Sequence, residues 1–270
     1  MWFDFCTFQS NMKYVIFILF LFSYSILAQE SVEASLVKKL NLDVETLVSV
    51  DNFGTTYYIN NNVFNKQDVN TTITYNNLQL GNLYSANAFN PLKINLFYKD
   101  FNTIVILDNR LAEIFKIDFN TLDTYKNISH VSTGHDNTLW IFNQDLQKLE
   151  LFDYKTRTTR AQTVPVQSTV LDLKSNYNYC WLLTKNYIYT YNYFGSLVKK
   201  TKNEGYTSLI ENNENIILKK ENTLLYLNKN SDSPRPIKTS NLLINQFFVT
   251  NETLYIYDNE TLYQFQLKTN

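Results

Sequence analysis

Asn137-Thr138-Leu139-Trp140-Ile141-Phe142 turns at Asn143-Gln144-Asp145 and returns through Leu149-Glu150-Leu151-Phe152. Further on, Asn178-Tyr179-Cys180-Trp181-Leu182-Leu183 turns at Lys185-Asn186 and returns through Tyr187-Ile188-Tyr189-Thr190-Tyr191. Aromatic and β-branched residues in runs of about five to eight, bounded by Asn and Asp, read as strands in hairpins. The same unit starts again near Gly54, Asn102, Glu214 and Glu252, so successive starts differ by 48, 35, 41, 36 and 38 residues. A repeat near 40 residues with four short strands per unit is the spacing of propeller blades. A sandwich uses only about seven to nine strands per ~100 residues, whereas about 23 candidate strands are found here. The expectation is an all-β propeller of six four-stranded blades over residues 29–270. A pair of sandwiches or an irregular β-solenoid is the alternative.

Asn takes the turn role that Gly usually fills, because it tolerates the left-handed conformation and bonds its own backbone. The doublets Asn60-Asn61, Asn76-Asn77, Asp108-Asn109, Asp136-Asn137, Asn212-Asn213 and Asp258-Asn259 stand where hairpins turn, and the 270 residues hold only 5 Gly. That scarcity argues against Gly-rich phosphate loops. With 44% hydrophobic residues a core is assured, and a net charge of −1 supplies no electrostatic reason to bind nucleic acid.

The N-terminus reads as a targeting segment. Lys13 precedes an apolar run from Tyr14 to Leu27, and Ala28 precedes the polar Gln29-Glu30. A basic start, an apolar stretch and a small residue at the cut describe a secretory signal peptide. The cut is expected after Ala28, with Ile26 three residues earlier. A run this short falls below the ~20 residues that span a bilayer. Trp2, Phe3, Asp4 and Phe5 are unlike a basic start, so translation is expected to begin at Met12. No Cys stands at the cut, so a lipoprotein is not expected. The mature chain is expected to be a periplasmic or secreted monomer without a membrane span.

The stretch His135-Asp136-Asn137-Thr138-Leu139-Trp140-Ile141 resembles the polar turn and Leu-Trp pair that recur in bacterial propeller repeats. It lacks the Trp-Asp pair of WD40 repeats and the Gly-rich turn of quinoproteins. A second stretch runs from Asn90-Pro91-Leu92-Lys93-Ile94-Asn95-Leu96-Phe97-Tyr98-Lys99-Asp100-Phe101 to Leu107-Asp108-Asn109-Arg110-Leu111. It resembles a signature of an uncharacterised secreted β-propeller-like family of the Bacteroidota. That resemblance implies an extracytoplasmic propeller and no known activity.

The chemistry-bearing residues are few. The chain has 2 His and 2 Cys, too few for a zinc cage or a disulfide scaffold. Cys180, between Tyr179 and Trp181, reads as a buried strand thiol, and Cys6 lies in the part removed with the signal peptide. His130 and His135 stand at an odd offset, so on one strand they would face opposite sides. Ser132 near His135 has no Gly-flanked elbow and makes no triad. No metal, cofactor or catalytic residue is assigned. If the protein is an enzyme, a hydrolase or lactonase, its stock is the channel carboxylates Asp51, Asp100, Asp136 and Asp172, with Glu214, converging from separate blades. Asp at strand ends also simply satisfies turn amides.

Residues 77–91 make the first interval the longest and place Leu78, Leu80, Leu83, Tyr84 and Phe89 on an inter-blade connection. Apolar loops of this kind mark interaction surfaces. The candidate partner contacts are Tyr84, Phe89, Pro91, Lys93, Tyr98 and Lys99; packing against a neighbouring blade is the other reading of the loop. The matching Trp140 and Trp181 read as blade-to-blade packing. The expectation is a non-enzymatic module that binds a protein partner, in cell-envelope assembly or secretion. A glycan-binding module using exposed Tyr is the third reading. Finally, Ser35-Leu36-Val37-Lys38-Lys39 repeats as Ser196-Leu197-Val198-Lys199-Lys200. The second copy stands where an outer strand belongs, so residues 36–40 are expected to pair with residues 263–267 and close the last blade.

Overall fold

The computed structural model describes residues 31–239 and 241–269. The signal peptide, the Met12 start, the Ala28 cut and Cys6 fall outside the described residues. The chain enters through β1 (Val32–Asn41). Strands β2 (Thr46–Val50), β3 (Thr56–Asn60), β4 (Val63–Gln67) and β5 (Thr72–Tyr75) form a four-stranded antiparallel meander. The same pattern recurs in β6 (Ser85–Asn87), β7 (Ile94–Tyr98), β8 (Thr103–Leu107) and β9 (Glu113–Asp118). It recurs again in β10 (Ile128–Thr133), β11 (Thr138–Asn143), β12 (Lys148–Asp153) and β13 (Thr158–Gln162). A fourth sheet holds β14 (Val170–Ser175), β15 (Tyr179–Thr184), β16 (Tyr187–Asn192) and β17 (Leu197–Lys202).

The remaining strands are β18 (Ser208–Asn212), β19 (Asn215–Lys220), β20 (Thr223–Leu227), β21 (Arg235–Lys238), β22 (Gln246–Thr250), β23 (Thr253–Tyr257) and β24 (Thr261–Lys268). With β1 they make one sheet in the order β18-β19-β20-β21-β1-β24-β23-β22. The expected six four-stranded blades are therefore corrected: the described strands form four four-stranded sheets and one eight-stranded sheet. The cause is β1. It runs antiparallel to β24, with Leu36 opposite Phe265 and Leu40 opposite Leu262. On its other side it runs parallel to β21, through Val32 opposite Ile237 and Glu33 opposite Lys238. An N-terminal strand with both edges used fuses two sets of strands that would otherwise stand apart.

The central strands are buried on both faces. Ile94, Leu96, Ile104, Val105, Ile106 and Leu107 are at 0% exposure, and burying each such side chain contributes about 1.5–3 kcal/mol. Their apolar groups fill the seams between successive sheets. Trp140 and Phe142 meet Leu173, Cys180 and Leu182 in one seam, and Trp181 and Leu183 meet Leu209, Ile216 and Leu218 in the next. Both Trp residues thus pack one sheet on its neighbour. Where the chain returns to its start, Val44, Leu47 and Val50 pack on Phe248, Tyr255 and Tyr257. The Tyr257 hydroxyl accepts from Val44 N at 3.1 Å and faces the Leu42 and Val44 carbonyl oxygens at 2.9 Å.

The turns use the left-handed region as the Asn doublets foretell. Asn61, Asn62, Asn102, Asp136, Asn213, Asn251 and Asn259 all have positive φ. Gly134 serves a different need. A Cβ there would collide with Thr138 Oγ1 and stand 2.8 Å from the Thr138 carbonyl carbon.

Residues 77–91 are not an added loop. They contain β6, the innermost strand of its sheet, and Leu80 and Leu83 are buried at 5% and 6% exposure against the preceding sheet. Its three residues, Ser85-Ala86-Asn87, carry no β-branched or aromatic side chain, so nothing local marks a strand.

Candidate functional site

The first strands of successive sheets face one another around an axis: β10 contacts β14, β14 contacts β18, β18 contacts β22, and β22 contacts β2. The turns leaving these strands toward the second strand of each sheet all emerge on one face. At the centre of that face lies a cavity of about 370 Å³, the mouth, walled by side chains from β2, β6, β14, β18 and β22 and the turns after them. Apolar groups (Val48, Val50, Ile210, Phe248) alternate there with amides (Asn52, Asn213, Asn251). Neutral polar groups close it on the side of β10. Asn87 Nδ2 donates to Ser132 Oγ at 3.3 Å, and Ser175 Oγ donates to Ser132 Oγ at 2.7 Å.

Three charged residues line this mouth: Asp51, Lys174 and Glu211. Lys174 is neutralised by Asp172, at 3.3 Å. Asp51 Oδ1 accepts from Phe53 N and Thr55 N, both at 2.9 Å, and Oδ2 accepts from the Tyr57 hydroxyl at 3.2 Å. Burial, and then the Asp51 charge, push the Tyr57 phenol up. Glu211 Oε2 accepts from Asn176 Nδ2 at 2.9 Å. Burial raises the pKa of the Glu211 carboxyl, with hydrogen bonds from Asn176 and the Glu214 backbone opposing it and the nearby Glu214 charge adding to it.

Beside the mouth runs a continuous series of exposed rings. Phe89 stands edge-on to Tyr177 at 5.2 Å; Tyr177 meets His135 at 6.3 Å; His135 meets Tyr193 at 5.9 Å; and Tyr193 meets Phe194 at 4.0 Å. Phe89, Tyr177 and Tyr193 are about 40% exposed and Phe194 is 65% exposed. Leu92 and Phe53, at 63% and 92%, stand on neighbouring turns of the same face.

The candidate partner residues divide. Phe89 and Pro91 line the mouth, and Lys93 Nζ reaches the same face, donating to Asp136 O at 2.7 Å. Tyr84 and Lys99 belong to connections on the opposite face, where the Lys99 ammonium lies 4.5 Å from the Tyr84 ring. Tyr98 is 1% exposed, in the seam with Tyr57, Phe64 and Leu96, and presents no surface.

The carboxylates do not converge. Asp51 lines the mouth, but Asp100 is exposed in the turn between β7 and β8, away from any innermost strand. Asp136 is exposed in its turn, and Glu214 pairs with Lys229 at 2.9 Å. Asp172 Oδ2 accepts from Leu209 N at 3.0 Å, tying β14 to β18. His130 is bonded through Nδ1 to Ser129 Oγ at 3.0 Å, and burial lowers its pKa. Among the described residues no group of three or more His, Cys, Asp or Glu side chains could hold a metal ion. Sequence reading missed Glu211 and the ring series. The signal available was aromatics inside polar turns, Asn176-Tyr177-Asn178 and Asn192-Tyr193-Phe194-Gly195.

A second cavity, about 330 Å³, lies in the seam between the fourth sheet and β19–β20, over Trp181, Ile188, Ile216 and Leu227. The two ammonium groups at its rim are taken: Lys199 by Asp232 at 2.6 Å and Lys229 by Glu214.

No protein-family model matches the chain, and no curated protein matches it. Its fold does resemble solved structures. Virginiamycin B lyase from Staphylococcus aureus aligns with a TM-score of 0.58 at 12% identity, over 82% of this chain and 80% of that one. A chain of the mitotic checkpoint complex aligns with a TM-score of 0.56 at 10% identity, over 88% and 94%. The WD40 domain of Pan2 from Neurospora crassa aligns at 0.51 and 9% identity, over 83% and 89%. The chain is a β-propeller. At such identities the likeness establishes the fold alone, for the matched structures include a lyase and a chain of the mitotic checkpoint complex. No described helix is long and apolar enough to cross a membrane.

Proposed function

We propose that this propeller is a secreted or periplasmic, non-enzymatic module of the cell envelope that binds a protein partner on the face bearing the mouth. The observation that carries this reading is the exposed ring series from Phe89 through Tyr177, His135 and Tyr193 to Phe194. Aromatic rings are enriched in protein interfaces, where they give large contact area at low entropic cost. The carboxylates that a hydrolase or lactonase would need are spread over both faces and engaged in turns, which favours binding over catalysis. Contacts are assigned to Phe89, Pro91 and Lys93, joined by Tyr177 and Tyr193.

The test places a photo-crosslinking amino acid at Tyr177, or at Tyr84 on the opposite face, in cells that make the protein. Crosslinks to one defined protein from position 177 but not 84, lost with Phe89→Ser, are expected. Equal crosslinking from both positions would overturn the reading. Glycan binding is a second reading, favoured by the amides Asn52, Asn213 and Asn251 around the mouth. Competition of the crosslink by a neutral oligosaccharide would select it.

A further inference from the structure

We infer that the mouth receives a basic side chain, Arg or Lys, from a protein segment docked along the ring series; this rests on the reading of that face as protein-binding. The argument is one of charge. Three charged side chains line the cavity. The Lys174 ammonium is answered from within by Asp172 at 3.3 Å. The Asp51 carboxylate receives only neutral donors: two backbone amides and the Tyr57 hydroxyl. The Glu211 carboxylate receives the Asn176 side-chain amide and the Glu214 backbone amide, both neutral, and among the described residues no cationic group stands within ion-pair distance of it. The mouth therefore holds two negative charges that the described chain solvates but does not neutralise. Holding such charge out of bulk water is costly, and a paired cation returns part of that cost.

The shape agrees with the charge. A cavity of about 370 Å³ has room for one long side chain and its waters. Val48, Val50, Ile210 and Phe248 wall it with apolar surface suited to a methylene stem, and Glu211 and Asp51 stand on the same wall to meet the head group. Phe89 lines the mouth and heads the ring series, so a guanidinium entering there meets an aromatic face as well, an attraction that Arg exploits better than Lys. A metal ion answers the same charge less well. Among the described residues no group of three or more His, Cys, Asp or Glu side chains could hold one, and Asp51 is already committed to its own turn. A neutral sugar leaves both charges unanswered.

The experiment selects random 12-residue peptides displayed on phage against the full chain and against Glu211→Gln. The Gln keeps a carbonyl oxygen for Asn176 and removes the charge; a thermal melt checks its fold. The wild type is expected to enrich peptides with one Arg or Lys beside apolar residues. The affinity of such a peptide should fall about tenfold or more, either on Glu211→Gln or, on the unaltered protein, when its basic residue becomes Met. Peptides that bind through Phe89 and Tyr177 with no basic enrichment, or with no loss on either change, overturn this inference and leave the binding face standing. Failure to select any peptide, with or without binding of a neutral oligosaccharide, overturns the protein-binding reading and this inference together.

Discussion

Lys126 Nζ lies 2.6 Å from Glu150 Oε2, and both residues are buried, at 9% and 1% exposure. The pair joins the connection before β10 to the middle of β12. Glu150 is further held by Thr159 Oγ1 at 2.6 Å and Asn143 Nδ2 at 2.9 Å, while the Lys126 carbonyl accepts from Asn102 Nδ2 at 2.7 Å. Burial by itself would raise the Glu150 carboxyl. The hydrogen bonds from Lys126, Thr159 and Asn143, with the Lys126 charge, outweigh it and hold the carboxyl below its ordinary value.

Removing one member leaves the other charge buried and unpaired. Lys126→Met is expected to destabilise the fold by about 3–5 kcal/mol, and Lys126→Met with Glu150→Leu by less than the single change. Urea denaturation of the three chains checks the order. A lowered carboxylate contributes stability above its unfolded pKa and loses it as pH falls through the folded one. Wild-type stability should therefore decline on acidification below about pH 4, and the double variant should lose less there.

β1 holds the eight-stranded sheet together, and its two sides differ. Val32 is 1% exposed, opposite Ile237, whereas Val37 is 60% exposed. Val32→Ala should cost about 2 kcal/mol, lowering Tm by about 4–8 °C, and Val37→Ala should change stability by under about 0.5 kcal/mol. Equal melting temperatures for the two variants would show that β1 is dispensable to closure.

Gly134 is required by close approach. Its added Cβ would meet the Thr138 backbone at 2.8 Å, which no side-chain rotation relieves. Gly134→Ala is expected to cost more than about 2 kcal/mol. At Gly54, with φ of +83° and open space around the Cβ position, the same change should cost about 1 kcal/mol from backbone strain alone. Thermal melts rank the two.

Cys180 is fully buried between the third and fourth sheets, and burial pushes its thiol well up. It should resist a thiol reagent in the native protein and react at the rate of global unfolding, read by mass spectrometry of the labelled peptide. Cys180→Ser should cost about 1–3 kcal/mol by placing a hydroxyl among apolar groups.

Local chemistry is what a sequence carries, and here it carried the strands, their hairpin turns and their repeat. The Thr138–Asn143 and Tyr179–Thr184 runs are strands because β-branched and aromatic side chains fit a surface buried on both faces. Asn213 and Asn251 turn the chain because their short amides tolerate positive φ. The Trp140 and Trp181 seams followed from the matching places of the two residues in successive units. The identity of residues 35–39 with 196–200 also marked β1 as the strand that pairs with residues 263–267, and β1 does run antiparallel to β24 there. What lay beyond it was the rest of the pairing at a distance: the second edge of β1 is used by β21 because of where that strand stands in the closed ring. β6 is a strand because β7 pairs with it, whatever its own three residues prefer. The face was decided the same way. Phe89, His135, Tyr177 and Tyr193 come from separate turns, and only the ring brings them into contact. Glu211 is an ordinary strand-end residue in sequence. Its place in the mouth, without a cation beside it, is set by the packing of β18 against β14 and β22.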